Sequence, residues 1–184
     1  MQFESTAIPA VKIVTPKRHR DARGFFSEVY KASDWHSAAL DLTFVQDNHS
    51  MSTSVGTLRG LHFQTAPFAQ DKLVRVLRGR ILDVAVDIRR SSPTFGKHVA
   101  VELSQENWRQ LLVPIGFAHG FVTLESDTEV LYKVTALYSA PNDSGLAWDD
   151  PDLGIAWPLP PSGPLLSDKD RKWPRLCDIS DIFA

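Results

Sequence analysis

The feature that most narrows the fold is a succession of short β-rich runs, each closed off by Gly, Pro, Asn or Ser. They fall at residues 11–14, 25–30, 72–77, 81–88, 98–103, 110–113, 118–124 and 129–138. Branched and aromatic side chains suit a half-buried pleated surface, and regularly spaced short strands with turn signals predict an all-β sandwich or barrel. Arg78-Gly79-Arg80, between two runs, predicts a tight hairpin. One helix is expected at residues 34–40, with Ser33 or Asp34 as its N-cap. Beyond Tyr138 the chain turns rich in Pro, Asp and Trp, through Trp148-Asp149-Asp150-Pro151 and Trp157-Pro158-Leu159-Pro160. Prolines at that density cannot donate to a ladder, so an irregular segment wrapped over the strands is expected. With no internal repeat, low-complexity block or linker, residues 1–184 read as one domain.

A chain of 184 residues can bury roughly 70% of the surface its unfolded form exposes, enough for a substantial core. Its net charge of -2 offers no general attraction to nucleic acid or anionic lipid, so neither is an expected partner. The basic run Lys17-Arg18-His19-Arg20 is short and reads as a solvated turn. No stretch approaches the roughly 20 apolar residues that cross a bilayer, and residues 1–14 lack the pattern of a secretory signal. Cys177 has no second thiol to pair with. A reducing cytoplasm is the expected location.

Three regions concentrate polar groups of particular types: Gln46-Asp47-Asn48-His49-Ser50 with the nearby Leu58-Arg59-Gly60-Leu61-His62-Phe63-Gln64; Gln70-Asp71-Lys72-Leu73-Val74-Arg75-Val76; and Pro114 to Phe121, which includes His119. A lone histidine in a strand is usually a satisfied core or surface residue. His62 is of interest because Lys72, Tyr132 and Tyr138 lie on other expected strands of the same small protein. Period-2 alternation puts Tyr132, Val134, Ala136 and Tyr138 on one face, where both tyrosines either point into a cavity or line an ordinary core. The same alternation sets Arg59 opposite His62, so a pocket containing both requires a bulge or kink near Gly60. Metal is not expected: His62-Phe63-Gln64 stands where a metal-binding barrel carries His-x-His, and His119 is the one clear second imidazole. Nor is a nicotinamide or flavin, in the absence of a Gly-x-Gly-x-x-Gly fingerprint.

These segments together resemble the dTDP-4-dehydrorhamnose 3,5-epimerase family, within the wider cupin group. Matching words run from Asp21-Ala22-Arg23-Gly24-Phe25-Phe26-Ser27-Glu28 to Leu166-Ser167-Asp168-Lys169-Asp170, and the most specific are residues 58–64, Asp83-Val84-Ala85-Val86-Asp87-Ile88-Arg89 and residues 114–120. The resemblance implies a cupin-like jelly-roll barrel with a few short helices, acting on a dTDP-linked 4-keto-6-deoxy sugar without a cofactor. It implies that His62 is the general base, oriented by Asp170, that Tyr132 is the general acid, and that Lys72 stabilises the enolate oxygen. Arg23, Glu28, Gln46, Asn48, Arg59, His119 and Lys169 would contact substrate, with Tyr138 stacked on the thymine. Family members are homodimers that exchange N-terminal strands, which would assign Arg23, Phe26 and Glu28 to the neighbouring subunit's site. The sequence departs from the family at Asp143, where Glu is usual, so a substrate-binding carboxylate there reaches about one methylene less far.

The implied chemistry accounts for these residue types. A proton beside a ketone has a pKa on the order of 20 and free histidine about 6.5, a gap of roughly 13 units or about 18 kcal/mol. A base alone cannot close it, so the enolate must form against a fixed cation or donor in a site that excludes water. Inversion then needs a proton donor on the opposite face, which a phenol supplies. Inversion at C3 alone or C5 alone, or a 3,4-keto shift, remains a reading of the same residues. A non-catalytic sugar-nucleotide binding module would not need His62, Lys72 and Tyr132 together.

Overall fold

A computed structural model of the chain describes residues 1–179 and Phe183. Two antiparallel sheets face each other. The first has six strands, in the spatial order β1 (Gln2–Ser5), β2 (Lys12–Thr15), β10 (Gln110–Val113), β7 (Lys72–Arg78), β12 (Thr128–Val134) and β5 (Gln46–Ser52). The second runs β13 (Asp143–Gly145), β6 (Leu58–Gln64), β11 (Phe117–Thr123), β8 (Arg80–Asp87) and β9 (His98–Ser104). A separate hairpin pairs β3 (His19–Asp21) with β4 (Gly24–Phe26). The fold is all-β and cupin-like, as expected, but the two sheets stay separate ladders among the described residues, an open sandwich rather than a closed barrel.

Alternation along the strands builds the layers. Val74 and Val76 of β7, Ile81 and Ala85 of β8, Leu111 and Val113 of β10, Phe117 and Phe121 of β11, and Val130 of β12 meet between the sheets. The opposite faces are covered as well. Leu61, Phe63, Val84, Val86 and Ala118 pack under the tail residues Leu146, Leu153 and Leu176, while Leu73, Leu112 and Val14 pack beneath Trp35. The tail therefore forms an irregular cover, as its prolines require.

Several expectations are corrected. Arg78-Gly79-Arg80 is no hairpin: it carries the chain from β7 in one sheet to β8 in the other. Gly79 is needed there because its φ is +79° and a Cβ would lie 2.4 Å from the Thr128 hydroxyl. The helix α1 spans Ala32–Ser37, with Lys31 at its N-cap and no side-chain cap bond, so Ser33 and Asp34 lie inside it. It forms because Trp35, 1% exposed, is buried among Phe3, Tyr30 and Phe44, and this burial overrides the capping preference. The strand expected over 25–30 stops at Phe26, and that over 129–138 stops at Val134. β1, β3, β5, β6 and β13 lay outside the expected runs.

The kink expected near Gly60 is present. The β6–β11 register shifts between His119 and Phe121, and the Gly60 backbone has φ +139°. A Cβ on Gly60 would stand 2.5 Å from the Gly120 Cα, and one on Gly120 would stand 2.8 Å from the Arg59 carbonyl oxygen. The two strands approach this closely because both residues are glycine, and the bulge turns Arg59 and His62 toward one cavity.

The turn after β8 is held by Asp87, which is fully buried. Its carboxylate accepts bonds from the Arg89 backbone N–H at 3.0 Å, the Arg89 guanidinium at 2.9 and 2.6 Å, and the Ser92 and Thr94 hydroxyls at 2.6 Å each. Burial works against ionisation, yet these donors outweigh it and hold the carboxyl down at about 2. A depressed carboxylate stabilises the fold above its unfolded pKa and loses that contribution as pH falls through the folded value, here about 2–3 kcal/mol at neutral pH. Asp87→Asn should therefore cost about 2 kcal/mol in urea unfolding at pH 7 and progressively less from pH 5 to pH 2. A penalty that does not change with pH would show that the carboxylate charge is not what the turn uses.

Candidate active site

Towards one end of the sandwich the inward positions change from apolar to polar. Lys72 precedes Val74 and Val76 on β7, Tyr132 follows Val130 on β12, His119 lies between Phe117 and Phe121 on β11, and His62 and Gln64 are the inward residues closing β6. They surround two adjoining chambers of about 310 and 230 Å³, which share His62, Lys72, Tyr132 and Lys169. The first is completed by Gln46, Asn48, Tyr138 and Asp143, the second by Arg59, His119, Ser167 and Asp170.

His62 Nε2 faces Asp170 Oδ1 at 2.5 Å. A carboxylate accepts, so Nε2 carries the proton and Nδ1 is the basic nitrogen. Asp170 is itself fixed by Ser167, whose hydroxyl donates to Oδ2 at 2.8 Å while accepting the Asp170 N–H at 3.1 Å. Burial opposes ionisation of Asp170, but the bonds from His62 and Ser167 keep its carboxyl below the ordinary range. The irregular tail thus delivers the partner of a strand histidine.

Lys72 is 8% exposed and its Nζ donates to the His62 carbonyl at 3.2 Å. Burial pushes its ammonium down to about 8; the Asp143 and Asp83 carboxylates resist the shift and Lys169 adds to it. It is still a cation at pH 7. Burial also raises the Tyr132 phenol, Arg59 pulling against the shift and Asp143 adding to it, so this group holds its proton at neutral pH. His119 Nε2 meets the fully buried Asp83 at 2.7 Å, and the second oxygen of Asp83 has no hydrogen-bond partner among the described residues.

Asp143 and Tyr138 meet at the mouth. The Tyr138 hydroxyl donates to Asp143 Oδ2 at 3.0 Å, and Lys169 forms an ion pair with the same oxygen. The hydrogen bond to Asp143 raises the Tyr138 phenol. The shorter Asp thus reaches both partners. Tyr138 arrives by a different route from the one alternation suggested, since β12 ends at Val134 and Tyr138 lies on the segment beyond it. Of the residues singled out in the sequence, Arg23, Phe26 and Glu28 are not brought to this cavity. Phe26 is 66% exposed on β4, Arg23 pairs with Asp21, and Glu28 pairs with Lys31. Sequence reasoning gave no role to Gln64, Gln70, Asp83 or Ser167. Asp83 had a signal, because an acidic residue in the centre of an apolar run demands a buried partner.

The fold and the cavity define a class: an all-β protein that gathers a histidine–carboxylate pair, a phenol and a buried ammonium in a cavity between two sheets. The dTDP-4-dehydrorhamnose 3,5-epimerase family profile matches residues 5–178. A dTDP-4-dehydrorhamnose 3,5-epimerase of Sinorhizobium fredii is 54% identical over 183 residues, covering 100% of this chain and 93% of that one. The structure is similar, at TM-score 0.93 and 44% identity, to a dTDP-6-deoxy-D-glucose-3,5-epimerase of Legionella pneumophila in complex with dTDP-4-keto-L-rhamnose, covering 97% of this chain and 94% of that one. It is also similar, at TM-score 0.91 and 48% identity, to the Bacillus anthracis dTDP-4-dehydrorhamnose 3,5-epimerase with TDP and PPi bound, covering 95% and 98% respectively. The chain belongs to the dTDP-4-dehydrorhamnose 3,5-epimerase family.

The buried ammonium can be tested directly. In NMR titration of lysine-labelled protein, Lys72 should titrate with a midpoint about 8, and Asp83→Asn, which removes a supporting carboxylate, should lower it further. A midpoint near the free-lysine value of about 10.4 would contradict the burial argument.

Proposed function

We propose that this protein inverts C3 and C5 of dTDP-4-dehydro-6-deoxy-D-glucose to give dTDP-4-dehydro-L-rhamnose, through an enolate and without a redox step. The observation that carries the reading is the His62–Asp170 pair in a cavity that also holds Tyr132 and Lys72. In this reading His62 Nδ1 removes the proton beside the ketone, and the Asp170 carboxylate favours the imidazolium that results. Lys72 supplies fixed positive charge as the ketone oxygen becomes an enolate, at no reorganisation cost because it is already buried in place. Tyr132 protonates the opposite face. Arg59 and His119 hold the sugar, while Gln46, Asn48, Asp143 and Lys169 border the nucleotide and its phosphates. Tyr138, 60% exposed, offers a flat face to the thymine.

The division of labour is separable in heavy water. His62→Ala should lose deuterium exchange at C3 and product formation together. Tyr132→Phe keeps the ring but loses the phenol, so His62 still exchanges the proton and returns it to the same face. That variant should gain deuterium while inverted product falls roughly 10²–10⁴-fold, the range for a positioned acid. Equal loss of exchange and inversion in Tyr132→Phe would refute the opposite-face assignment.

The working protein in this reading is a single domain over residues 1–184, acting as a homodimer. Phe25 and Phe26 are 52% and 66% exposed on the β3–β4 hairpin, which carries Arg23 and leads into Glu28, away from its own cavity. A second copy would receive these residues at its site, burying the two rings. Light scattering should give about twice the chain mass of 20.5 kDa. A monomer mass with full activity at the same concentration would defeat the exchange.

A further inference from the structure

Tyr138 lies beyond the end of the ladder that should hold it. β12 ends with Val134 opposite Gln46 of β5 and Lys72 of β7, and the last strand-like bond runs from the Thr135 N–H to the Asp71 carbonyl at 3.2 Å. For the next four residues the main chain is held by side-chain amides. Gln70 Nε2 donates to the Ala136 carbonyl at 2.7 Å, and Gln64 Nε2 donates to the Leu137 carbonyl at 3.2 Å. The Tyr138 N–H donates to Gln46 Oε1 at 3.1 Å, and the Ser139 N–H donates to Gln64 Oε1 at 2.7 Å. Three glutamines, from the start of β5, the end of β6 and the approach to β7, thus take the place of a missing strand.

Gln64 is the centre of this arrangement. It is 4% exposed, and its second Nε2 hydrogen is donated to the Phe68 carbonyl at 2.7 Å, so both donors and its acceptor are engaged. An amide alone presents two donors and an acceptor in one plane, which neither a carboxylate nor an imidazole reproduces. Although it faces the cavity beside His62, it has no N–H left for a ligand. Gln46 accepts the Tyr138 N–H at its Oε1 and donates one Nε2 hydrogen to Asn48 Oδ1 at 2.8 Å. The Tyr138 ring, exposed and tied at its hydroxyl alone, has its place set by its backbone.

We propose that Gln64, assisted by Gln70 and Gln46, is the positioning residue for Tyr138, fixing the 136–139 segment so that the ring is preorganised to receive the nucleobase. The glutamines act on ground-state binding of the nucleotide and leave the proton-transfer groups in place. This rests on the epimerase reading above, and the test separates the two.

The test is a mutant cycle with dTDP as probe, read by calorimetry together with KM and kcat on dTDP-4-keto-6-deoxyglucose. Gln64→Met keeps length and neutrality but removes every bond to the segment. It should weaken dTDP binding and raise KM about tenfold, in line with the loss of one base–aromatic stack, while kcat stays within about threefold of the parent. Tyr138→Ala should weaken dTDP binding by about tenfold or more, and in that background Gln64→Met should cost less than about twofold further, because coupled residues are not additive. A full additional loss on top of Tyr138→Ala, or a fall in kcat with dTDP affinity unchanged, overturns the proposal. Should Gln64→Met fail to fold, Gln70→Met, which frees the Ala136 carbonyl alone, enters the same cycle with an expected loss of about threefold that Tyr138→Ala abolishes. A parent protein that neither binds dTDP nor exchanges deuterium sinks the epimerase reading and this proposal with it. A parent that does both while the cycle is additive sinks the positioning role alone.

Discussion

The bond between His62 and Asp170 joins residues 108 positions apart and holds two dissimilar parts of the molecule together. On one side is a strand whose inward positions are set by the sheet; on the other is a segment with no regular structure of its own. Lys169 and Ser167 come with Asp170, so the pairing that orients an imidazole also closes one wall of the cavity. Such an attachment can be exact only if the tail is anchored elsewhere, and Leu146, Leu153 and Leu176 anchor it by packing onto the outer face of the second sheet. Hydrophobic burial supplies the holding energy there, and the histidine–carboxylate hydrogen bond supplies direction.

The cavity is a local exception within a well-packed sandwich. Lys72, Asp83 and His119 are all 8% exposed or less, on strands whose other inward residues are Val, Ile, Ala and Phe. Polar groups placed so deep are costly unless paired, and the pairs Asp83–His119 and Lys72 with the His62 carbonyl meet part of that cost. What remains unsatisfied, the second Asp83 oxygen, is fully buried and lines neither chamber, so that part of the cost is carried inside the protein.

Much of this was legible in the sequence, and the rest failed for identifiable reasons. Strands with apolar inward faces, such as β8 and β11, show in composition because burial selects their side chains. β5 and β6 do not, since Gln46-Asp47-Asn48 and Leu58-Arg59-Gly60 devote inward positions to a site or lie on an edge. The kink at Gly60 could be deduced because Arg59 and His62 stand three apart, a spacing a regular strand cannot place on one face. Tyr138 could not, because alternation holds only while a strand lasts and nothing local marks its end at Val134. The helix failed similarly: Ser33 and Asp34 are good caps, but the burial of Trp35 decides where the turn sits. The site residue types were readable through the family's words, whereas the amides that hold the 136–139 segment are ordinary glutamines until their partners are seen.

The order of the six-stranded sheet bears on how the chain reaches this state. β2, at residues 12–15, pairs with β1 on one side and with β10, at residues 110–113, on the other. During synthesis the N-terminal strands therefore leave the ribosome long before the strand that joins them to the rest of the sheet, and two four-residue strands are too little to hold together on their own. Sequence-distant pairing of this kind slows folding and prolongs the exposure of unpaired strand backbone. The sheet that carries Lys72 and Tyr132 can be completed only after more than half of the chain has been made.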